Sequence, residues 1–174
     1  MHANATQAVL RSSLETPVGT LQLSVNEEGT LVEILLPNRR PQATPPGRFA
    51  VAAREGMRAA REQLGEYFQR KRRAFDLPLL AAGSAFERQV WDALLEIPFG
   101  ATVSYGAIAT VLGLSNGARA VGRANGANPI PIVIPCHRVI GSDGTLTGYG
   151  GGLPLKRTLL EFEGALRPPD PQLF

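Results

Sequence analysis

Polar and apolar residues alternate through the first part of the chain in the manner of a half-buried sheet. Residues 8–15, 19–26 and 31–36 each read as a strand. The strings Thr16-Pro17-Val18-Gly19 and Asn26-Glu27-Glu28-Gly29 supply the turns between them. After a Pro/Gly-rich loop over 37–47 the period changes. Val51, Met57, Ala60, Leu64 and Phe68 recur at helical spacing, which predicts an amphipathic helix. It ends near Arg70-Lys71-Arg72-Arg73, a run that reads as a solvated helix end favoured by the helix dipole. The meander and helix make a small scaffold without a catalytic constellation. Ala81-Ala82-Gly83 is the junction to the second part of the chain.

Beyond it the pattern is helical. Ser84-Ala85-Phe86-Glu87 matches a capping box, and Phe86, Val90, Trp91, Leu94 and Leu95 form the apolar stripe of the helix it opens. Pro98-Phe99-Gly100 ends that helix. Ser104 can cap a shorter one over 105–112, closed by Gly113, and a third runs over 117–125. Two short helices so spaced describe a helix-turn-helix. The third is built of tiny residues around Arg119 and Arg123, and each glycine inside a helix costs about 1 kcal/mol relative to alanine. Close packing against a neighbouring helix would explain this, and so would close insertion into a nucleic-acid groove. A last helix starts at Pro154 and stops at Gly164.

Composition narrows the class. A chain of 174 residues with 44% hydrophobic and 19% charged residues has ample material for a core. No apolar run reaches the roughly 18–20 residues of a membrane span, and positions 1–13 lack the apolar centre of a signal peptide. A cytoplasmic location is expected. The single cysteine, Cys136, excludes an intramolecular disulfide and any multi-cysteine zinc site. The basic excess belongs to residues 1–83, which hold 11 Lys+Arg against 8 Asp+Glu; the remainder holds seven of each. Yet residues 97–142 contain no Asp or Glu, while carrying Arg119, Arg123, His137 and Arg138. A surface without carboxylates approaches a polyanion unopposed.

The chemistry concentrates at Cys136. An apolar segment interrupted by prolines delivers it to a bend at Pro135, and His137 and Arg138 come directly after, both able to favour a thiolate. Adjacent side chains point apart, so His137 would reach the sulfur through a water. No carboxylate lies nearby in sequence to orient the imidazole. Glu163 stands at a helix C-terminus, where acids are disfavoured by about 0.3–1 kcal/mol. It is either that orienter or a solvated surface acid.

Pro135-Cys136-His137-Arg138-Val139 resembles the active-site signature of the O6-alkylguanine-DNA alkyltransferases, the methylated-DNA–protein-cysteine methyltransferases. The resemblance extends over 84–166. It takes in Phe86-Glu87-Arg88-Gln89-Val90-Trp91, Ile97-Pro98-Phe99-Gly100, Ser104-Tyr105, Ala120-Val121-Gly122, Asn128-Pro129, Gly148-Tyr149, Lys156 and Glu163-Gly164. It implies an α/β (α+β) protein: a ribonuclease-H-like sheet-plus-helix domain over 1–83, then a mainly helical, winged-helix-like domain over 84–166. Residues 167–174 would be a tail of no assigned role.

The implied activity is direct reversal of DNA damage. O6-alkylguanine, and O4-alkylthymine with it, would be flipped from the duplex and its alkyl group moved irreversibly to Cys136, once per molecule. Cys136 would be the nucleophile, His137 the base acting through water, Glu163 its orienter, and Asn128 the brace of the active-site turn. Tyr105 would donate a proton toward guanine N3 and press on the phosphate. Arg119 would fill the gap left by the flipped base. Ala118, Gly122, Arg123 and Ser142 would join it on the minor groove of double-stranded DNA, read without strong sequence preference. Pro131, Val139, Tyr149 and Gly150 would line the alkyl pocket. Gly126 and Gly150 depart from the arginine and the serine or alanine common at these places, which implies weaker phosphate contact and a wider pocket. No metal, no cofactor and a monomeric state are expected. A cysteine hydrolase, a non-catalytic damage sensor and a helix-turn-helix regulator are the rival readings.

Overall fold

A computed structural model describes residues 9–166. The chain divides into two compact units, Met1–Ala82 and Gly83–Phe174. In the first, β1 (Leu10–Thr16), β2 (Gly19–Val25) and β3 (Leu31–Leu35) form an antiparallel sheet in the order β1-β2-β3. Thr16 pairs with Gly19 across the first turn, and the register continues through Leu14 with Leu21 to Leu10 with Val25. Ala8, expected in the first strand, lies outside the described residues. At the second turn the Asn26 side chain takes the Thr30 amide at 2.8 Å, which closes the loop by a side-chain bond.

Helix α1 (Val51–Phe68) buries Ala53, Met57, Ala60, Leu64 and Tyr67, with Leu21, Leu23, Val25 and Leu31 also in the unit's core. Its stripe differs at both ends from the expected one. Val51 is 61% exposed, because it sits in the first turn, and Tyr67 rather than Phe68 is buried. Phe68 stands edge-on to Tyr67 with ring centroids 5.0 Å apart. The basic run is only partly a solvated end: the helix stops at Phe68, and Arg72 folds back on Glu66 at 2.6 Å.

In the second unit α2 (Ala85–Leu95) opens with the capping box read from sequence. The Ser84 hydroxyl accepts the Glu87 amide, and the Glu87 carboxylate accepts the Ser84 amide at 2.7 Å. Val90, Trp91 and Leu94 are buried, whereas Leu95 is 44% exposed and Phe86 only half-buried. Two strands of two residues, β4 (Val103–Ser104) and β5 (Val139–Ile140), pair in parallel. They are too short to leave a periodic signal. Ser104 then caps α3 (Tyr105–Val111) by accepting the Ala107 amide at 3.1 Å.

Helix α4 (Ala118–Gly126) packs on α2 and α3, and α5 (Leu153–Glu163) completes the unit. Gly117, at the entrance to α4, shows why small residues are needed. A Cβ there would stand 2.5 Å from the Leu114 Cβ and 3.1 Å from that of Ala109. Trp91 ties α2 to α4, its indole Nε1 donating to the Ala124 carbonyl at 2.8 Å. The architecture is mixed α/β, with five helices and two small sheets among the described residues.

Candidate active site

From the end of α4 the chain runs through Asn128 into the turn that carries Cys136. Asn128 spans that turn: its Nδ2 donates to the Ile134 carbonyl at 2.8 Å, and its Oδ1 accepts the Ile130 amide at 3.0 Å. At the apex Ile132 has φ +75°, a conformation a β-branched residue adopts only under constraint. Pro135 ends the turn, and Cys136–Arg138 form one turn of 3-10 helix whose three side chains are all buried. Prolines and a strained apex thus replace regular structure, and one asparagine supplies the missing backbone partners.

His137 and Arg138 both reach Glu163. His137 Nε2 lies 2.9 Å from Glu163 Oε1, Arg138 Nε 2.8 Å from Oε2, and Arg138 Nη2 2.9 Å from Oε1. The Gly100 amide adds a donor to Oε2 at 3.3 Å, and Arg138 Nη1 donates to the Ile97 carbonyl at 2.6 Å. Glu163 is therefore no surface acid. Its partners hold the carboxyl down at about 2 against the burial that would raise it. An ionised carboxylate only accepts, so His137 must carry its proton on Nε2 and present Nδ1 as a lone pair. Burial also lowers the imidazole's own affinity for a second proton.

The arrangement corrects two expectations. Arg138 and His137 are not surface cations: both are buried against Glu163, so Arg119 and Arg123 are the exposed cations of the acid-free stretch. Nor is the thiol poised as a thiolate. Burial pushes Cys136 up to about 11, opposed by a hydrogen bond from the Asn128 side chain and by the charge of Lys156. At neutral pH Cys136 is held as a thiol.

Lys156, at 0% exposure, is a site residue whose role its sequence position did not disclose. Its Nζ donates to the carbonyls of Val139 at 2.5 Å and Thr147 at 2.7 Å, and lies 3.5 Å from the Tyr105 hydroxyl. Burial brings its ammonium down to about 8. Tyr105, half-buried, donates to the Thr147 carbonyl at 3.1 Å, and burial raises its phenol. A lysine on α5 therefore fastens β5, the glycine-rich loop and the first residue of α3 together.

The remaining expected site residues fall in two groups. Arg119, Arg123 and Ser142 are exposed, Ala118 is half-buried, and a Cβ on Gly122 would rest 3.8 Å from the Tyr105 ring. Pro131 and Val139 are buried, Tyr149 is half-buried, and Gly150 is exposed with open space around its Cα. Asn125, also unassigned from sequence, is buried, and its Nδ2 donates to the Cys136 carbonyl at 3.3 Å. It sits in the last turn of α4, where its carbonyl accepts the Asn128 amide at 3.4 Å just past the helix end. Among the described residues no cluster of His, Cys, Asp and Glu could hold a metal ion, and no helix is long and apolar enough to cross a membrane.

Residues 85–165 match the DNA-binding domain of 6-O-methylguanine DNA methyltransferase. The methylated-DNA–protein-cysteine methyltransferase of Mycobacterium bovis is 43% identical over 93% of this chain and 96% of its own. That of Methanosarcina acetivorans is 42% identical over 87% of this chain and 96% of its own. The crystal structure of Mycobacterium tuberculosis O6-methylguanine methyltransferase is similar with a TM-score of 0.77 and 41% identity, over 95% of this chain and 99% of that one. The M. tuberculosis protein in complex with DNA gives 0.75 and 42%, over 88% and 91% of the two chains.

Proposed function

The chain belongs to the methylated-DNA–protein-cysteine methyltransferase family, and from that premise we propose that Cys136 is the acceptor of the alkyl group, taken from guanine O6 in duplex DNA. The activity is direct reversal of alkylation damage by transfer to a protein cysteine. The observation that carries the assignment is the buried relay behind the one thiol, with Glu163 Oε1 2.9 Å from His137 Nε2 and Nδ1 left as its free base. Burial keeps the thiol protonated until the base acts, which protects it from adventitious alkylation.

The thiol proton passes by way of a water to His137 Nδ1, and Glu163 stabilises the imidazolium that forms. Sulfur attacks the alkyl carbon, the carbon–O6 bond breaks, and guanine leaves with the electron pair. Tyr105 turns its hydroxyl from Thr147 to protonate N3. The Lys156 ammonium, 3.5 Å away, stabilises the phenolate left behind. The thioether has no easy hydrolysis route, so each molecule acts once.

Access requires the nucleotide to leave the stack. Arg119, exposed on α4, fills the gap, while Ala118 and Gly122 allow the helix to sit close in the minor groove, with Arg123 and Ser142 at phosphates. A winged-helix organisation of residues 84–166 suits that placement. Pro131, Val139, Tyr149 and Gly150 line the pocket. O4-alkylthymine is a second substrate, the acting species is a monomer, and it works in the cytoplasm.

The test uses duplex DNA carrying radiolabelled O6-methylguanine. Label on the protein should plateau at one methyl per chain and vanish in Cys136→Ala. Label that turns over, or that persists in the alanine variant, overturns the assignment and favours a hydrolase.

A further inference from the structure

Two buried polar atoms have no partner within the protein, one on the residue that follows Cys136 and one on a side chain bonded to the Cys136 carbonyl: His137 Nδ1 and Asn125 Oδ1. Both residues are almost wholly enclosed, at 0% and 3% exposure. An orphaned buried acceptor costs about 1–3 kcal/mol, so each of them calls for a donor that the protein itself does not supply. Hydrogen bonding makes both of them acceptors. The ionised Glu163 accepts from His137 Nε2–H, which leaves Nδ1 as a lone pair. The Cys136 carbonyl accepts from Asn125 Nδ2, which leaves Oδ1 as the acceptor end of that amide. The carbonyl in question belongs to the peptide joining Cys136 to His137. The Asn125 amide is thus held against the bond between nucleophile and base.

A molecule of water has two hydrogens to donate and a lone pair for the thiol hydrogen. We propose that Asn125 is a positioning residue for proton removal from Cys136: its Oδ1 accepts one hydrogen of the water whose other hydrogen points to His137 Nδ1. The oxygen lone pair of that water then faces the thiol. In the step, S–H gives its proton to the water oxygen, the water gives its hydrogen to Nδ1, and thiolate and imidazolium result with the water restored. Without Oδ1 the water has a free rotation that loses this alignment. The inference rests on the alkyl-transfer reading, and it places the aiming of the water on the helix that also carries Arg119 and Arg123.

Soluble O6-benzylguanine serves as probe, so that DNA binding does not enter the measurement. Wild type must first label Cys136; if it does not, the alkyl-transfer reading fails and this one with it. Given labelling, Asn125→Leu removes Oδ1 at similar volume. Its single-turnover rate should fall about tenfold near neutral pH, a modest share of what general base catalysis supplies. The deficit should shrink as pH rises, because hydroxide then takes the thiol proton directly. A deficit equal at every pH, with the unfolding midpoint lowered, would make Asn125 a structural clamp and overturn the proposal. No deficit would overturn it too. Should the leucine variant fail to fold, a crystal structure of the wild type decides. A water within about 3 Å of both His137 Nδ1 and Asn125 Oδ1 supports the proposal, and a water on His137 alone overturns it.

Discussion

Glu163 concentrates the energetics of the site in one side chain. It is the shared acceptor of His137, Arg138 and the Gly100 amide, and removal of one member of a buried ion pair typically costs about 3–5 kcal/mol. Its carboxyl titrates at about 2 in the folded protein, below an ordinary 4.5. A depressed carboxyl contributes stability that is present above the unfolded value and is lost as pH falls through the folded one. In urea unfolding, Glu163→Gln should therefore be less stable than wild type at neutral pH. The gap should narrow between pH 4.5 and 2, where wild type loses the contribution. Transfer to Cys136 should slow at least about tenfold, because the imidazole loses its orienting anion. An unchanged acid-unfolding curve would remove Glu163 from the ion network. At this scale the sequence pointed to the acid by its unfavourable place at a helix end. It did not disclose that Arg138 shares it, because the two stand on elements 25 residues apart.

At the scale of elements, the small residues about α4 divide by what each would touch. A Cβ on Gly117, which caps α4, would stand 2.5 Å from the Leu114 Cβ, closer than real Cβ atoms come, and tightly at 3.1 Å from that of Ala109, while Gly126, the last residue of the helix, has open space. Gly117→Ala should cost about 1–3 kcal/mol by overpacking the α3–α4 contact. Gly126→Ala should gain about 0.4–1 kcal/mol by restricting the unfolded chain. Thermal unfolding of the two variants checks both signs, and equal shifts would refute the distinction. Of the two explanations that composition left open, close packing holds for Gly117, and Gly122 lies half-buried beside Tyr105. Capping residues made the starts of α2 and α3 legible, since Ser84 and Ser104 act on their own next turn. The paired strands β4 and β5 were not legible, because two residues carry no period and their partners are far apart in sequence.

For the whole molecule, charge placement matters more than net charge. The surplus of three lies in residues 1–83, whereas the acid-free stretch 97–142 offers Arg119 and Arg123 to solvent once His137 and Arg138 are enclosed. Each phosphate neutralised by a cation contributes a slope of about −0.9 to log K against log salt on duplex DNA. Replacing both arginines by alanine should flatten that slope by about 0.9, the share of Arg123, because Arg119 fills the gap in the stack and neutralises no phosphate. Reaction with free O6-benzylguanine should be nearly unaffected. Equal losses on duplex and free base would mean that the arginines support the fold instead. Duplex binding by fluorescence anisotropy over a salt series makes the comparison.

The sequence by itself determined the order of the longer elements, the caps, the single cysteine and the family. These are local or covalent: a period, a serine before a helix, a proline before a bend, a motif read residue by residue. Only the tertiary structure decided what surrounds the thiol. Burial makes it a weak acid, Glu163 comes from a distant helix to fix the imidazole, Lys156 fastens the loop to Tyr105, and Asn125 turns inward against the Cys136 carbonyl. Desolvation and contacts between remote segments set proton affinities, and neither exists until the chain has folded.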